Sequence, residues 1–404
     1  MEKISTGNAN NVKPQKLNTA MLILQCIGIV AVVLGHADIG GKDIPNPLNL
    51  ALPYYSWHMP FFIFISGYFF DRTQPMGKYL LKKVKNHLLP AFVVNAVCGV
   101  FSMCIKHFSL ASYGQDITLK SLFVTPFTTG YQFYINISLW FVFALVVIEV
   151  LACFMDRITC GKADLIYLAV TFIISLYCSA KVYYDYESTR GEYYNALLRL
   201  GYLMFFFWLG ACYRKYAETR LKRILNIKLS AIIFVVLTVF WAITNYKITT
   251  NTRDMNFIKI TVPNGFWVAV VMPIIAIAFF LGVAYTLSPH FKNSTVLARI
   301  GRGTKYVMYY HQLIFVLCSF GLGVLTKLSG LNIEGFSFDK MAKSAYYTGG
   351  NVGITVAVAL AALLLPILIC SYISQKKPYI KVILYTSIFA LIVLYLYVAG
   401  VVLN

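Results

Sequence analysis

The sequence predicts an all-α integral membrane protein with about ten to eleven transmembrane helices. Of its 404 residues, 59% are hydrophobic and only 12% are charged, and the mean hydropathy is +0.69. Soluble domains carry about 25% charged residues, so about half of the usual solvated surface is missing. The net charge of +20 would suggest nucleic acid for a soluble chain. In a membrane protein it indicates topology and contact with membrane lipids, so no nucleic-acid partner is expected.

Apolar stretches near the length of about 20 residues that crosses a bilayer recur along the whole chain. The predicted spans lie near 20–36, 55–70, 88–105, 138–155, 164–180, 195–212, 229–245, 264–287, 306–326, 351–374 and 379–401. The polar stretches between them are short. Residues 1–404 are therefore predicted to form one membrane-embedded domain, with a short cytoplasmic tail at 1–19.

The distribution of cations predicts the orientation of the chain. One alternate set of loops carries twice as many Lys and Arg residues as the other. Because cytoplasmic loops are enriched in these residues, the N-terminus is predicted to be cytoplasmic in a multi-pass protein of the inner (plasma) membrane. The nine cysteines fall almost all within apolar stretches and form no CxxC pair, so neither disulfides nor a metal site are expected.

Two histidines are the first candidates for a site. His36 closes the first apolar stretch and His58 opens the second, so both are predicted at the outer face, joined by a short loop. An ionisable side chain at a membrane span indicates function when it has a partner there. A single histidine at a helix end is commonly an interfacial residue, and it is the pair that favours a site. Asp38 could orient His36 only if the helix has already ended, since residues two apart on a helix do not face each other.

Further polar residues lie within the predicted spans. Arg199 is expected near the outer boundary of the sixth span, where it either snorkels to the interface or lines a pathway. Glu149, in the inner half of the fourth span, needs a partner or a cavity. His311 is expected in the inner part of the ninth span, either as a satisfied core residue or as a functional one.

Three predicted cytoplasmic segments are densely basic: Lys82 to Lys85, Arg214 to Arg223 and Arg299 to Lys305. They are interpreted either as topology signals that contact anionic lipid or as an anion pocket for a polyphosphate cofactor. Gly301-x-Gly303 is a weak signal for a phosphate loop.

A series of short motifs, taken together, resembles the acyltransferase 3 family of integral-membrane O-acyltransferases, most closely the branch that acetylates surface polysaccharides and fucose-type sugars. The matching elements lie in order along residues 20 to 320. They are Val32 to His36, His58 to Tyr68, Lys82 to Pro90, Leu139-Trp140-Phe141, Phe206 to Gly210 and, loosely, Gly301 to His311.

The resemblance implies an O-acetyltransferase of the bacterial cell envelope. Acetyl-CoA would bind at the cytoplasmic cations Lys82, Lys83 and Lys85, and a hydroxyl of a polysaccharide or lipid-linked saccharide would be acetylated outside, with no metal. His36 would act as general base. His58 would orient it or stabilise the oxyanion, and an acetyl-histidine intermediate is the alternative.

A polar trail that includes Ser66, Tyr68 and Arg199 would connect the two faces, with His311 also on the acyl path. One position departs from the pattern, because Gln25 stands where many members carry Arg or Lys. Eleven residues are about three turns, roughly 16 Å, so this side chain shares a face with His36. Either another cation, such as Lys82 or Lys83, compensates or the donor is handled differently. The competing interpretation is a glycan transporter or flippase without chemistry, and a membrane sensor or assembly partner is a third.

Overall fold

The computed structural model describes residues 18–37, 47–130, 132–185, 192–244, 249–251, 256–259 and 265–404. The first seven helices are α1 (Thr19–His36), α2 (Pro47–Ala51), α3 (Tyr54–Tyr68), α4 (Met76–Lys83), α5 (Leu89–His107), α6 (Trp140–Ile158) and α7 (Asp164–Tyr184). They are followed by α8 (Glu192–Cys212), α9 (Glu218–Leu221), α10 (Ile227–Thr244), α11 (Val268–Leu287), α12 (Thr295–Ser329), α13 (Phe338–Lys343), α14 (Val352–Ser374) and α15 (Pro378–Leu403). Two short antiparallel strands, β1 (Thr249–Asn251) and β2 (Asn256–Lys259), lie between α10 and α11.

The prediction of an all-α polytopic membrane protein is confirmed. Within the described ranges, nine helical segments are long and apolar enough to cross a membrane. They coincide with nine of the predicted spans. The other two predicted spans coincide with α3, which has 15 residues, and α10, which is a shorter apolar helix. The predicted tail at 1–19 falls almost wholly outside the described residues, which begin at Asn18.

The two ends of α1 define two ends of the bundle. We call the end where α1 finishes at His36 and α3 begins at Tyr54 the histidine end. The end where α1 begins at Thr19 and α3 finishes at Tyr68 is the basic end, since α4 and the start of α12 bring their cations there.

Helix α3 is the most enclosed of the helices near the histidine end. Twelve of its fifteen residues are buried, and it packs against α1, α8 and α11. At its crossing with α8 the backbones nearly touch. A Cβ on Gly67 would lie 1.9 Å from the carbonyl oxygen of Phe207, and one on Gly210 would lie 2.0 Å from that of Phe64. Only glycine leaves room for this approach, so the two glycines set the depth of α3 in the bundle.

Helices α1 and α12 run parallel from the basic end. The Cys26 thiol lies 3.8 Å from the carbonyl oxygen of Leu297, and a Cβ on Gly301 would lie 2.7 Å from the Leu22 side chain and 3.4 Å from the Gln25 amide oxygen. Gly301 lies inside α12 and packs against α1, so the Gly301-x-Gly303 segment, a weak phosphate-loop signal in the sequence, is helical.

The close contact between α3 and α8 can be tested by substituting Gly67. Gly67→Ala should lower the melting temperature of the purified protein or prevent its recovery, because overpacking a tight contact costs about 1–3 kcal/mol or more. Gly77→Ala is the matched control, since no atom lies within 4 Å of the added Cβ. Equal melting temperatures for the two variants, measured in one detergent, would contradict the backbone contact.

Candidate active site

Three histidines from three helices meet at the histidine end. His36 ends α1, His58 lies one turn into α3, and His311 lies midway along α12. The ring centroids of His36 and His311 are 5.2 Å apart. The Tyr55 ring lies between the first two histidines, with its centroid 5.6 Å from that of His36 and 5.3 Å from that of His58. The Tyr346 ring stacks on His36 with the centroids 5.3 Å apart. We call these five residues the histidine site.

The position of His311 corrects the sequence prediction, which placed it in the inner part of its span, away from His36. Helix α12 begins at Thr295, well before the predicted start at 306, and runs for 35 residues. The Ser294 side chain caps its first turn by accepting a hydrogen bond from the Leu297 amide at 3.1 Å. The first turns of α12 are polar, so a prediction based on hydropathy placed the start of the helix too late. Since α1 and α12 run parallel, His311 reaches the level of His36.

The hydrogen bonds of the three rings assign their tautomers. Nδ1 of His58 bonds to the carbonyl oxygen of Tyr54, and Nδ1 of His311 bonds to that of Val307 at 2.7 Å. A carbonyl oxygen only accepts, so both Nδ1 atoms carry the proton of the neutral ring. Each ring then presents Nε2 as a proton acceptor.

Tyr55 gives His36 the same tautomer. Its hydroxyl lies 3.0 Å from the carbonyl oxygen of Gly35, a contact in which only the tyrosine can donate. The Tyr55 oxygen is also 3.1 Å from Nδ1 of His36, so here the histidine donates. Nε2 of His36 is therefore the basic nitrogen. Asp38, which the sequence offered as an alternative orienting group, lies outside the described residues.

Nε2 of His311 is the feature of the site that most needs a ligand. The side chain is fully buried, and this atom has no hydrogen-bond partner among the described residues. Buried polar atoms in native proteins are nearly always paired. A substrate hydroxyl would donate the missing hydrogen bond. The site can therefore accept a proton from a hydroxyl group, or attack an acyl carbon, through an imidazole nitrogen.

Arg199 is buried, with 2% of its surface exposed, which excludes snorkelling to the interface, one of the two interpretations of this residue. Its guanidinium group lies 4.5 Å from the centre of the Trp140 ring and donates a hydrogen bond of 2.6 Å to the Thr128 carbonyl oxygen. It thereby ties α8 to the segment that precedes α6. None of these contacts is with a histidine.

Ser66 and Tyr68 lie at the basic end, about 12 Å or more along α3 from His58. The Ser66 hydroxyl and the Lys83 ammonium group both donate to Oε1 of Glu149, at 2.5 Å each. Glu149 is only 3% exposed, and a buried carboxylate needs a partner. Lys83, at the end of α4, is that partner. The Tyr68 hydroxyl donates to Glu218 at 2.9 Å and accepts from the Asn18 amide at 2.6 Å.

The three predicted donor-binding lysines have different surroundings. Lys82 is exposed and lines a cavity of about 710 Å³ that also contains Asp71. Hydrogen bonds from Thr73 hold the pKa of Asp71 below its usual range. Lys83 is paired with Glu149, and Lys85 is exposed on the π-helical turn between α4 and α5. Their role in donor binding stays a prediction.

Gln25 is half-buried and faces α12 beside Gly301. Its amide forms no hydrogen bond within the part of the chain that the structure describes. It lies between the basic end and His36, as the helical spacing predicted.

Sequence reasoning missed Tyr55 and Tyr346. Tyr55 could have been found, because it lies three residues before His58 on the same helix and on the same face. Tyr346 lies in the segment after α13, far from any motif, and only the folded chain brings it to His36. Among the described residues, no group of three or more His, Cys, Asp or Glu side chains is arranged to hold a metal ion.

The fold is thus a bundle of apolar helices with an imidazole site at one end and cations at the other. The family model described as Acyltransferase domain (acyltransferase 3) matches residues 18–373. The match covers most of the chain, so the protein belongs to this family and is an acyl-transferring membrane enzyme. No curated protein and no solved structure matches the chain.

The role of the Tyr55 hydroxyl in orienting His36 can be tested by removing that hydroxyl. Tyr55→Phe keeps the ring contacts but removes the acceptor for the Nδ1 proton of His36, so the basic nitrogen is no longer defined. The rate of acyl transfer should fall about tenfold, as expected for the loss of one orienting hydrogen bond. The melting temperature should stay near that of the wild type.

Tyr379→Phe, at an exposed position on α15, makes the same substitution away from the site and should transfer at the wild-type rate. Full activity in Tyr55→Phe would show that Tyr55 does not orient His36.

Proposed function

We propose that this protein transfers an acetyl group from acetyl-CoA, bound at the basic end, to a hydroxyl of a cell-surface or lipid-linked glycan at the histidine end. The observation that carries the proposal is the buried Nε2 of His311, which has no hydrogen-bond partner among the described residues, beside the His36 ring with its basic Nε2. A site that binds a hydroxyl group and removes its proton requires such atoms.

In the proposed reaction, Nε2 of His36 accepts the proton as the hydroxyl oxygen attacks the acetyl carbonyl carbon. The tetrahedral intermediate then collapses, the C–S bond breaks, and the imidazolium returns its proton to the departing sulfur. The products are the acetyl ester and CoA. His311 would hold the hydroxyl by accepting its hydrogen bond or share the role of base.

His58 is better suited to orientation than to oxyanion stabilisation. Its ring N–H already donates to the Tyr54 carbonyl oxygen, so the neutral ring has no second N–H for an oxyanion. It is buried against Tyr55, the residue that orients His36. An acetyl-histidine intermediate would use the same Nε2 of His36 as nucleophile and give the same products.

The proposed orientation follows the cation count. The basic end would face the cytoplasm, where acetyl-CoA is made, and the histidine end would face outward in the inner membrane of a bacterial cell. The acceptor would then be a saccharide of the cell envelope, as in the polysaccharide-acetylating branch that the motifs resemble.

His36 provides the test. General-base catalysis contributes about 10²–10⁴-fold, so His36→Ala and His36→Gln should both remove detectable O-acetyl groups from the surface glycans of cells that express only the variant. The measurement is mass spectrometry of those glycans, alongside the amount of inserted protein. His290→Gln is the matched control, because His290 is exposed on the connection between α11 and α12.

Normal acetylation by His36→Gln would exclude His36 as the base. Loss of the whole glycan from the surface, and not only of its acetyl groups, would instead support the transporter.

A further inference from the structure

A cleft of about 680 Å³ opens at the basic end, where α12 begins and α14 finishes. Its volume is in the range of small-molecule sites. Four cations line it, namely Lys292, Arg299, Arg302 and Lys305. The side chains of Ser371 and Ser374, near the end of α14, complete the wall.

Among the described residues, the four cations of this cleft have no anionic side chain as a partner. No carboxylate lines it, and none of its four cations forms an ion pair with the described residues. The cavity beside Lys82 differs, because two of the cations that line it, Arg72 and Lys215, are each paired with Asp164 at 2.7 Å. The cleft is therefore the stronger candidate for an anionic ligand.

Topology alone does not account for the arrangement. The positive-inside preference is satisfied by cations anywhere in a cytoplasmic loop. Here Arg299, Arg302 and Lys305 are spaced by three residues, so they lie along one face of α12 and converge on one concave surface. The neighbouring N-terminal turn of α12 adds the positive end of a 35-residue helix.

The cleft is also continuous with the helices that carry the histidine site. Arg302 follows Gly301, which packs against Leu22 and Gln25 of α1. From Arg302 to His311 the rise along α12 is about 14 Å. A ligand with its phosphates in the cleft and a long flexible arm directed along α12 would span this distance to the level of the histidines.

We propose that the cleft binds the phosphate groups of CoA, with Arg299 and Arg302 as the main contacts. This assignment rests on the proposed function, since it takes acetyl-CoA as the donor. Planar guanidinium groups pair with phosphate oxygens through two hydrogen bonds at once. An anionic lipid headgroup offers the same phosphate chemistry, so the experiment must separate the two ligands.

The test measures CoA binding to the purified full-length protein in neutral detergent by calorimetry. Arg299→Gln together with Arg302→Gln should weaken CoA binding about tenfold or more, because charge-assisted hydrogen bonds are lost. S-acetyl-pantetheine, which lacks the nucleotide, should bind the variant and the wild type equally. Added salt should weaken CoA binding to the wild type more than to the variant.

Arg220→Gln together with Arg223→Gln is the matched control. It removes the same two charges from exposed positions at the same end, outside both cavities, and should bind CoA as the wild type does.

The outcomes separate the two proposals. If the wild type binds CoA and the cleft variant binds it equally well, the assignment of the cleft as the phosphate site is wrong, but acetyl-CoA remains the proposed acyl donor. If the wild type binds no CoA, the proposed donor fails together with the assignment. If the cleft variant retains less co-purified phosphatidylglycerol while its CoA affinity is unchanged, the cleft is a lipid site and the assignment is also overturned.

Discussion

The close contact between the backbones of α3 and α8 is the constraint on which the site depends. Gly67 and Gly210 allow each helix to reach the carbonyl groups of the other, and any side chain at either position would separate them. Helix α3 is short and almost wholly buried, so its position decides where both of its ends lie. One end carries Tyr55 and His58 to the ring of His36. The other carries Ser66 and Tyr68 to carboxylates at the basic end.

The parallel pair α1 and α12 completes the arrangement. Each begins at the basic end and brings a histidine to the same level. Near the basic end, Gly301 lets the two helices approach each other closely. The rings of His58 and His311 are buried and that of His36 is partly buried. All three are held through Nδ1, so their Nε2 atoms remain the basic ones. Cations are gathered at the opposite end, where many are exposed to solvent. One bundle thus separates a group of cations from a group of imidazoles, as the proposed transfer from a donor on one side to an acceptor on the other would require.

Much of this could be predicted from the sequence. The length of the apolar stretches predicted the spans, because the thickness of the bilayer fixes that length. His36 and His58 flank one short loop, and this predicted that they lie close together. The early start of α12 could not be predicted, since its first turns are polar and lie at the basic end. The burial of Arg199 against Trp140 and the stacking of Tyr346 on His36 depend on contacts between distant segments. Hydropathy and motifs carry no information about such contacts.

The central claim is that one donor molecule connects the basic end to the histidine site. Its most direct test is an electron cryomicroscopy structure of the full-length protein with a ketone analogue of acetyl-CoA, in which carbon replaces sulfur and transfer is blocked. We expect nucleotide density beside Arg299 and Arg302 and the ketone within hydrogen-bond distance of the histidine site. A ketone held at the basic end, with the three histidines unoccupied, would contradict the claim.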